Sequence, residues 1–328
     1  MTTDPENLDE LAEMLERSKR FRVLRRLPDT PTMQAPVAGE PVFRAAIIDT
    51  ETTGLNLDTD QIIELAIVRF EYGAHSARIV GLLDGFEGLQ QPSRPLSKTV
   101  AKITGLSDEI LQGHHIDADA VAAQIASVDL CLAHNASFDR RIVERAFPTV
   151  PIRPWACTMT EVDWAAQGAA GRRQSDLLAM FGLFSAAHRA GTDARALLHL
   201  LSLPLPATGE LTLAAVLAAA RRPSAIIVAD GAPYDATPRL KARGYRWSAA
   251  EPKAWWRELG VVELAAETEF LHSDVYIGSM RQPLAVIISA SERFRPLSKL
   301  IPKLAPASVV MERKNFTETL APPTDRNR

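Results

Sequence analysis

The stretch Ala45-Ala46-Ile47-Ile48-Asp49-Thr50-Glu51-Thr52-Thr53-Gly54 carries the reading on which the rest of the chain depends. From Ala45 to Ile48 it is wholly apolar, the mark of a short buried strand, and it runs out into a turn at Gly54. Side chains on a strand repeat their direction every second residue, so Asp49 and Glu51 point the same way at its end. Like charges side by side repel, and a solvated polar strand end is the plain alternative. A divalent cation removes the repulsion, because Mg²⁺ and Mn²⁺ prefer carboxylate oxygens.

With 328 residues, 46% of them hydrophobic and 23% charged, the chain has room for one large domain and one small one. Its net charge of −3 gives no hint of a polyanionic partner. Cys131 and Cys157 lie in apolar surroundings and read as core residues of a protein kept in a reducing cytoplasm. No apolar run approaches the roughly 20 residues that cross a bilayer, and Met1 to Arg20 lacks the apolar core of a signal peptide. No membrane partner is expected.

Leu8, Leu11 and Leu15 fall at helical spacing and prolines follow, so residues 1–41 read as an N-terminal helix and linker. After Gly54, Gln61–Phe70 and Ala77–Leu83 continue the first strand as an antiparallel meander. From Ser97 onward, Ser97–Ile103, Ser107–Gln112, Asp117–Ser127, Ser137–Phe147, Gln174–Gly182 and Thr192–Leu203 read as helices. Val128–Ala133 and the region of Cys157 read as further strands. The expectation over residues 42–203 is α/β, a mixed sheet flanked by helices. Residues 204–222 read as linker and helix, 223–280 as a second, smaller α+β domain, and 281–328 as a basic tail that ends in a mobile polar segment.

Two later segments supply groups that match Asp49 and Glu51. In His134-Asn135-Ala136-Ser137-Phe138-Asp139, Ser137 reads as an N-cap, which puts Asp139 in a first helical turn aimed at the strand ends. In His188-Arg189-Ala190-Gly191-Thr192-Asp193, Asp193 falls in another first turn and Gly191 permits a tight approach. Either aspartate alone is explained by the helix dipole, an effect of about 0.3–1 kcal/mol. Together, in order and each in its strand or helix context, they bring four carboxylates and a histidine towards one edge of the sheet.

Asp-x-Glu at a strand end, then His-Asn-x-x-Phe-Asp, then His-x-x-x-x-Asp resemble the motifs of the DEDDh 3′→5′ exonucleases. That family includes the epsilon proofreading subunit of bacterial replicative polymerase, exodeoxyribonuclease X and ribonuclease T. The resemblance implies a ribonuclease H-like fold, a mixed five-stranded sheet whose first three strands are antiparallel. It also implies two divalent cations, Mg²⁺ or Mn²⁺: Asp49, Glu51 and Asp193 would hold one, Asp49 and Asp139 the other. His188 would accept the proton of the attacking water.

Thr52, Thr53, Gly54, Asn135 and Phe138 match positions that meet the terminal nucleotide, and Thr104 stands where the family often has a histidine. The activity implied is release of nucleoside 5′-monophosphates from single-stranded or frayed 3′ ends of DNA, in repair or end processing. RNA processing and polymerase proofreading are the alternatives. A DNA polymerase or a second copy of the chain is the protein partner to consider.

Between Arg239 and Arg257 the chemistry changes. Arg239, Lys241, Arg243, Arg246, Lys253 and Arg257 stand against one acid, Glu251, interleaved with Tyr245, Trp247, Trp255 and Trp256. Cations that neutralise phosphates beside rings that stack on bases suit single-stranded DNA. Three tryptophans can equally form the core of a small domain, with the charges as its rim. Arg246, Trp247, Lys253, Trp255, Trp256 and Arg257 are the candidate DNA contacts. Leu240-Lys241-Ala242-Arg243-Gly244-Tyr245-Arg246-Trp247 is similar to a small C-terminal domain found in some exodeoxyribonuclease X-like proteins.

Overall fold

The structure, a computed structural model, describes residues 5–28, 30–186, 188–249 and 252–312, with side chains from residue 8 onward. By contact density the chain divides into two compact units, Met1–Ala220 and Arg221–Arg328.

The first unit opens with α1 (Pro5–Arg17) and an extended leader. Arg25–Arg26 of the leader pair parallel with Leu183–Phe184, which ties it to the main domain. The central sheet follows: β1 (Val42–Thr52), β2 (Ile62–Gly73) and β3 (Ile79–Leu89) form an antiparallel meander. Two short strands, β4 (Leu130–Ala133) and β5 (Trp155–Cys157), extend it in parallel, giving the order β3-β2-β1-β4-β5. This is the mixed five-stranded α/β sheet the motifs implied. Around it lie α2 (Lys98–Thr104), α3 (Ala118–Ala126), α4 (Ala136–Ala146), α5 (Gln174–Met180), α6 (Ala190–Ser202) and α7 (Thr212–Arg221).

Three boundaries differ from the sequence reading, each for a physical reason. The third strand continues past Leu83 to Leu89. A Cβ at Gly85 would lie 2.4 Å from the Ile67 carbonyl oxygen, so glycine is what lets the edge strand stay close to β2. Helix α4 starts at Ala136, and its N-cap is Asn135 rather than Ser137. The Ser137 hydroxyl donates to Asn135 Oδ1 at 2.8 Å, so neither side chain caps a backbone N–H. Finally, residues 204–210 make a tight turn rather than an open linker: Leu205 is buried and Pro204 bridges Leu211. Helix α7 then buries Leu213, Val216 and Leu217 in the same core as Leu197 and Leu201 of α6.

The second unit holds β6 (Ser224–Ala229), α8 (Thr237–Ala242), β7 (Arg246–Trp247), β8 (Trp255–Gly260), α9 (Leu264–Phe270), β9 (Leu284–Ile288), β10 (Ala305–Pro306) and α10 (Ala307–Glu312). Its strands form one antiparallel sheet in the order β10-β9-β6-β8-β7. Every residue of β6 is buried. Ala225 and Ile227 pack on Leu240 and Leu264, while Ile226 and Val228 pack on Leu297 and Leu300, so both faces are covered. Residues 281–312 are therefore part of this domain and not a tail. The apolar run Leu284–Ile288 is a strand beside β6, which charge counting over the whole segment obscured. The rest of the expected tail, from residue 313, lies outside the described residues, as does Glu251. Among the described residues no helix is long and apolar enough to cross a membrane.

The place of α7 generates a test. Cutting the chain after Leu203 removes buried Leu213, Val216 and Leu217, each contributing roughly 1.5–3 kcal/mol of apolar burial. A 1–222 fragment should melt cooperatively by calorimetry, and a 1–203 fragment should melt far lower or not cooperatively at all. Equal melting of the two would remove α7 from the core.

Candidate active site

The pleat of β1 assigns its side chains to faces. Ala45 and Ile47 pack in one core with Ala190, Ala194 and Leu197 of α6, and the same alternation carries Asp49 and Glu51 to that face. Helix α6 comes close because its first turns are small: Ala190, Gly191 and Ala194 are all buried. A Cβ at Gly191 would lie 2.6 Å from the Glu87 carboxylate. This approach sets Asp193 over the strand end, where one oxygen each of Asp49, Glu51 and Asp193 lie within 4.8 Å of one another.

Asp139 arrives differently. Thr50 points away from its two acidic neighbours, and its hydroxyl donates to Asp139 Oδ1 at 2.8 Å. Asp139 thus approaches β1 from the Thr50 side and is not one of the three convergent carboxylates, yet it is the strongest acidic influence on Asp49.

Crowding shows in the protonation equilibria. Burial, then the charges of Asp139, Asp193, Glu51 and Glu64, hold the Asp49 carboxyl well above the usual carboxylate range. Glu51 is pushed up to about 7, chiefly by burial and then by Asp193 and Glu64. Asp139 is also pushed up to about 7 by burial, against the Thr50 hydrogen bond. Asp193 is raised by burial and held down by the His188 N–H, which donates to its Oδ2 at 2.8 Å.

His188 is exposed and has φ +71°, a left-handed backbone uncommon for a residue with a Cβ. It sits directly before an anchor the sequence did not disclose. Arg189 grips buried Glu64 with two nitrogens, Nε at 3.0 Å and Nη2 at 2.8 Å, and the Ala190 N–H donates to the same carboxylate at 3.1 Å. Glu64 lies on β2 directly opposite Glu51. The clamp therefore fixes the start of α6, with His188 and Asp193, to the strand facing the acidic pair. Gln174 of α5 adds a bond from Nε2 to the Asp193 carbonyl at 2.8 Å.

His134 is a second missed support. Its Nε2 donates to the Arg172 carbonyl at 2.7 Å, and its Nδ1 meets the Thr158 hydroxyl at 2.9 Å. A carbonyl only accepts, so Nε2 carries a proton here, and burial lowers the pKa of the ring. This staple holds the corner from which Asn135, Phe138 and Asp139 project.

The other candidate contacts divide. The Thr52 hydroxyl donates to the Gly54 carbonyl at 2.6 Å and that of Thr53 to Asp60 Oδ1 at 2.8 Å, so both side chains shape the turn. A Cβ at Gly54 would lie 2.5 Å from Asp60 Oδ2, so a larger residue there would displace the carboxylate that Thr53 binds. Asn135 and Phe138 are half-buried beside Asp139 in sequence and helix. Thr104 is buried; its hydroxyl donates to the Val100 carbonyl and accepts from the Leu106 N–H, an internal staple at the end of α2. In the second unit, Arg246, Trp247 and Lys253 are exposed, and Trp255 and Trp256 are half-buried. Arg257 pairs with buried Glu267 at 3.0 Å.

Comparison with known proteins bears on the same segment. The RNase_T family model, described as exonuclease, matches residues 46–201. The PolC-type DNA polymerase III of Bacillus subtilis is 37% identical over 103 residues, covering 31% of this chain and 7% of that protein. That of Thermotoga maritima is 28% identical over 144 residues, covering 43% and 9%. The chain thus spans less than a tenth of these curated relatives. Among solved structures, exonuclease X in complex with 5′ overhanging duplex DNA is 26% identical with a TM-score of 0.37, covering 48% of this chain and 89% of that one. E. coli exonuclease I in complex with a dA16 oligonucleotide is 14% identical with a TM-score of 0.45, covering 76% and 64%. Residues 46–201, which carry Asp49, Glu51, Asp139, His188 and Asp193 in motif order, thus match the RNase_T family of exonucleases.

Proposed function

We propose that this exonuclease domain degrades DNA from its 3′ end, releasing nucleoside 5′-monophosphates, and that it requires two divalent cations, Mg²⁺ or Mn²⁺. The observation that carries the reading is the convergence of Asp49, Glu51 and Asp193 within 4.8 Å, each with its pKa raised. The donor set fits hard cations: it is all carboxylate oxygen, and the nearby cation, Arg189, is already bound to Glu64.

Asp49, Glu51 and Asp193 would hold one ion, and Asp49 with Asp139 the other. Bound there, the ions would supply positive charge beside the scissile phosphorus as negative charge develops on its oxygens. His188 takes a proton from the attacking water on a ring nitrogen. The water oxygen forms the new bond to phosphorus, the bond from phosphorus to O3′ breaks, and the leaving O3′ takes up a proton. Phe138 packs beside the terminal sugar and base, while the internal bonds of Thr104 argue for a supporting role under that site.

The second unit supports a role in repair or end processing. The PolC-type similarity favours proofreading as the second reading, and stable co-elution with a replicative polymerase would favour it over the first. RNA processing is separated from both by digesting matched DNA and RNA oligonucleotides.

A 5′-labelled oligonucleotide with Mg²⁺ or Mn²⁺ should give a ladder that shortens from the 3′ end. His188→Ala should slow it roughly 10²- to 10⁴-fold. Asp193→Ala should abolish it while the protein stays folded. Shortening from the other end, or full activity in Asp193→Ala, would refute the assignment.

The raised carboxyls also make stability depend on pH. Below about pH 4 these groups are protonated in both folded and unfolded chains. As pH rises towards 7 the unfolded chain sheds their protons while the folded chain retains them, so stability falls with rising pH. Buried His134, with its lowered pKa, acts in the opposite sense, so the comparison is made against a variant. Metal-free Asp49→Asn should melt several degrees above the metal-free wild type at pH 8 and by less at pH 5. Adding Mn²⁺ should raise the wild-type melting temperature at pH 8 but not that of the variant. A variant less stable at pH 8, or raised equally by Mn²⁺, would contradict the electrostatic account.

A further inference from the structure

We infer that the second unit binds single-stranded nucleic acid on one stacking ring, Trp247, and that the neighbouring aromatic residues serve its fold instead. The inference rests on the reading that a polynucleotide is the substrate. Glu267, which is 3% exposed, sorts the arginines of this region. It receives Arg243 through Nε at 3.0 Å and Nη2 at 2.8 Å, and Arg257 through Nη1 at 3.0 Å. Arg243 thereby ties α9 to the end of α8, and Arg257 ties it to β8. Lys241, Arg246 and Lys253 are exposed and make no ion pair with any described carboxylate.

The tryptophans divide in the same way. Trp255 packs on the core beneath α8 and α9, and Trp256 packs on the opposite core with Ile226 and Val228. Trp247, on edge strand β7, keeps 52% of its surface exposed. It is held in place by Trp255, its cross-strand partner, with ring centroids 5.6 Å apart and planes at 62°. Lys241 Nζ stands 6.0 Å from the centroid of Trp255, the ring against which Trp247 packs. Arg246 alternates to the other side, over Trp256 at 5.1 Å.

An indole packed on one side and half bare on the other, in a segment whose exposed cations have no carboxylate partner among the described residues, matches the chemistry of a base stacked next to its phosphates. A face built for an apolar partner would not set an open indole on a strand whose neighbouring cations pair with no described carboxylate.

The test uses the full chain and fluorescein-labelled dT20 in EDTA, where binding is read by anisotropy without hydrolysis. Trp247→Ala should weaken binding roughly 5- to 100-fold, and Trp247→Phe should recover part of the loss. Lys241→Ala with Lys253→Ala should lower the slope of log affinity against log salt by roughly 0.7 per cation. Calorimetry should show unchanged melting for Trp247→Ala. The p-nitrophenyl ester of dTMP, too short to reach a second contact, should be hydrolysed equally by the wild type and by Trp247→Ala. Unaltered dT20 affinity in Trp247→Ala, or an equal loss for a blunt 20-base-pair duplex, would overturn the inference. A wild type that binds dT20 yet hydrolyses neither ester nor oligonucleotide would instead defeat the exonuclease reading.

Discussion

Mutual repulsion among carboxylates at the end of β1 is the constraint around which the first unit is built. Asp49, Glu51 and Asp193 are held within 4.8 Å, with Glu64 and Asp139 close behind, and burial makes every one of these charges costlier. The Thr50 hydroxyl, the His188 N–H and the Arg189 charge relieve this only in part, since the net shifts remain upward. The surrounding structure imposes it: the fully buried run Ala45–Ile48 fixes the strand, small residues let α6 descend on it, and the Arg189–Glu64 clamp pins the helix start. An arrangement that opposes its own stability and is still held this firmly marks a place kept for chemistry.

The part of the site that could be read from sequence is the part governed by short periods. Asp49 and Glu51 share a face because a pleat repeats every two residues. Asp139 and Asp193 are found because a first helical turn follows a recognisable break. What escaped notice depends on pairs far apart along the chain. Glu64 sits in the apolar run Ile62–Val68 and reads as a strand residue, and Arg189, 125 positions later, reads as a loop charge; only the fold introduces them. His134 stood inside a recognised motif, but its role lies in bonds to Thr158 and Arg172. The cap on α4 was misplaced because Ser137 and Asn135 are both good caps and bond each other instead.

In the second unit the same limit appears as competition between composition and pattern. Charge counting made residues 281–328 a tail, although five apolar residues from Leu284 form a strand beside β6. Counting also pooled six cations and three tryptophans that the fold separates. Glu267 takes two arginines, two tryptophans face opposite cores, and what remains on the surface is a much smaller set. Composition told that the region was basic and aromatic; it could not tell which groups were still available.

The ladder between β1 and β2 pairs Asp49 with Ala66 and Glu51 with Glu64, and its register shifts only after Glu51. Sliding β1 by a single position would rotate both acids to the α4 side and turn Thr50 towards α6. A copy of the chain trapped in that neighbouring alignment would keep its strands and much of its compactness yet be chemically inert. Fidelity of strand pairing during folding, as much as the identity of the acids, thus decides whether a given molecule can act at all.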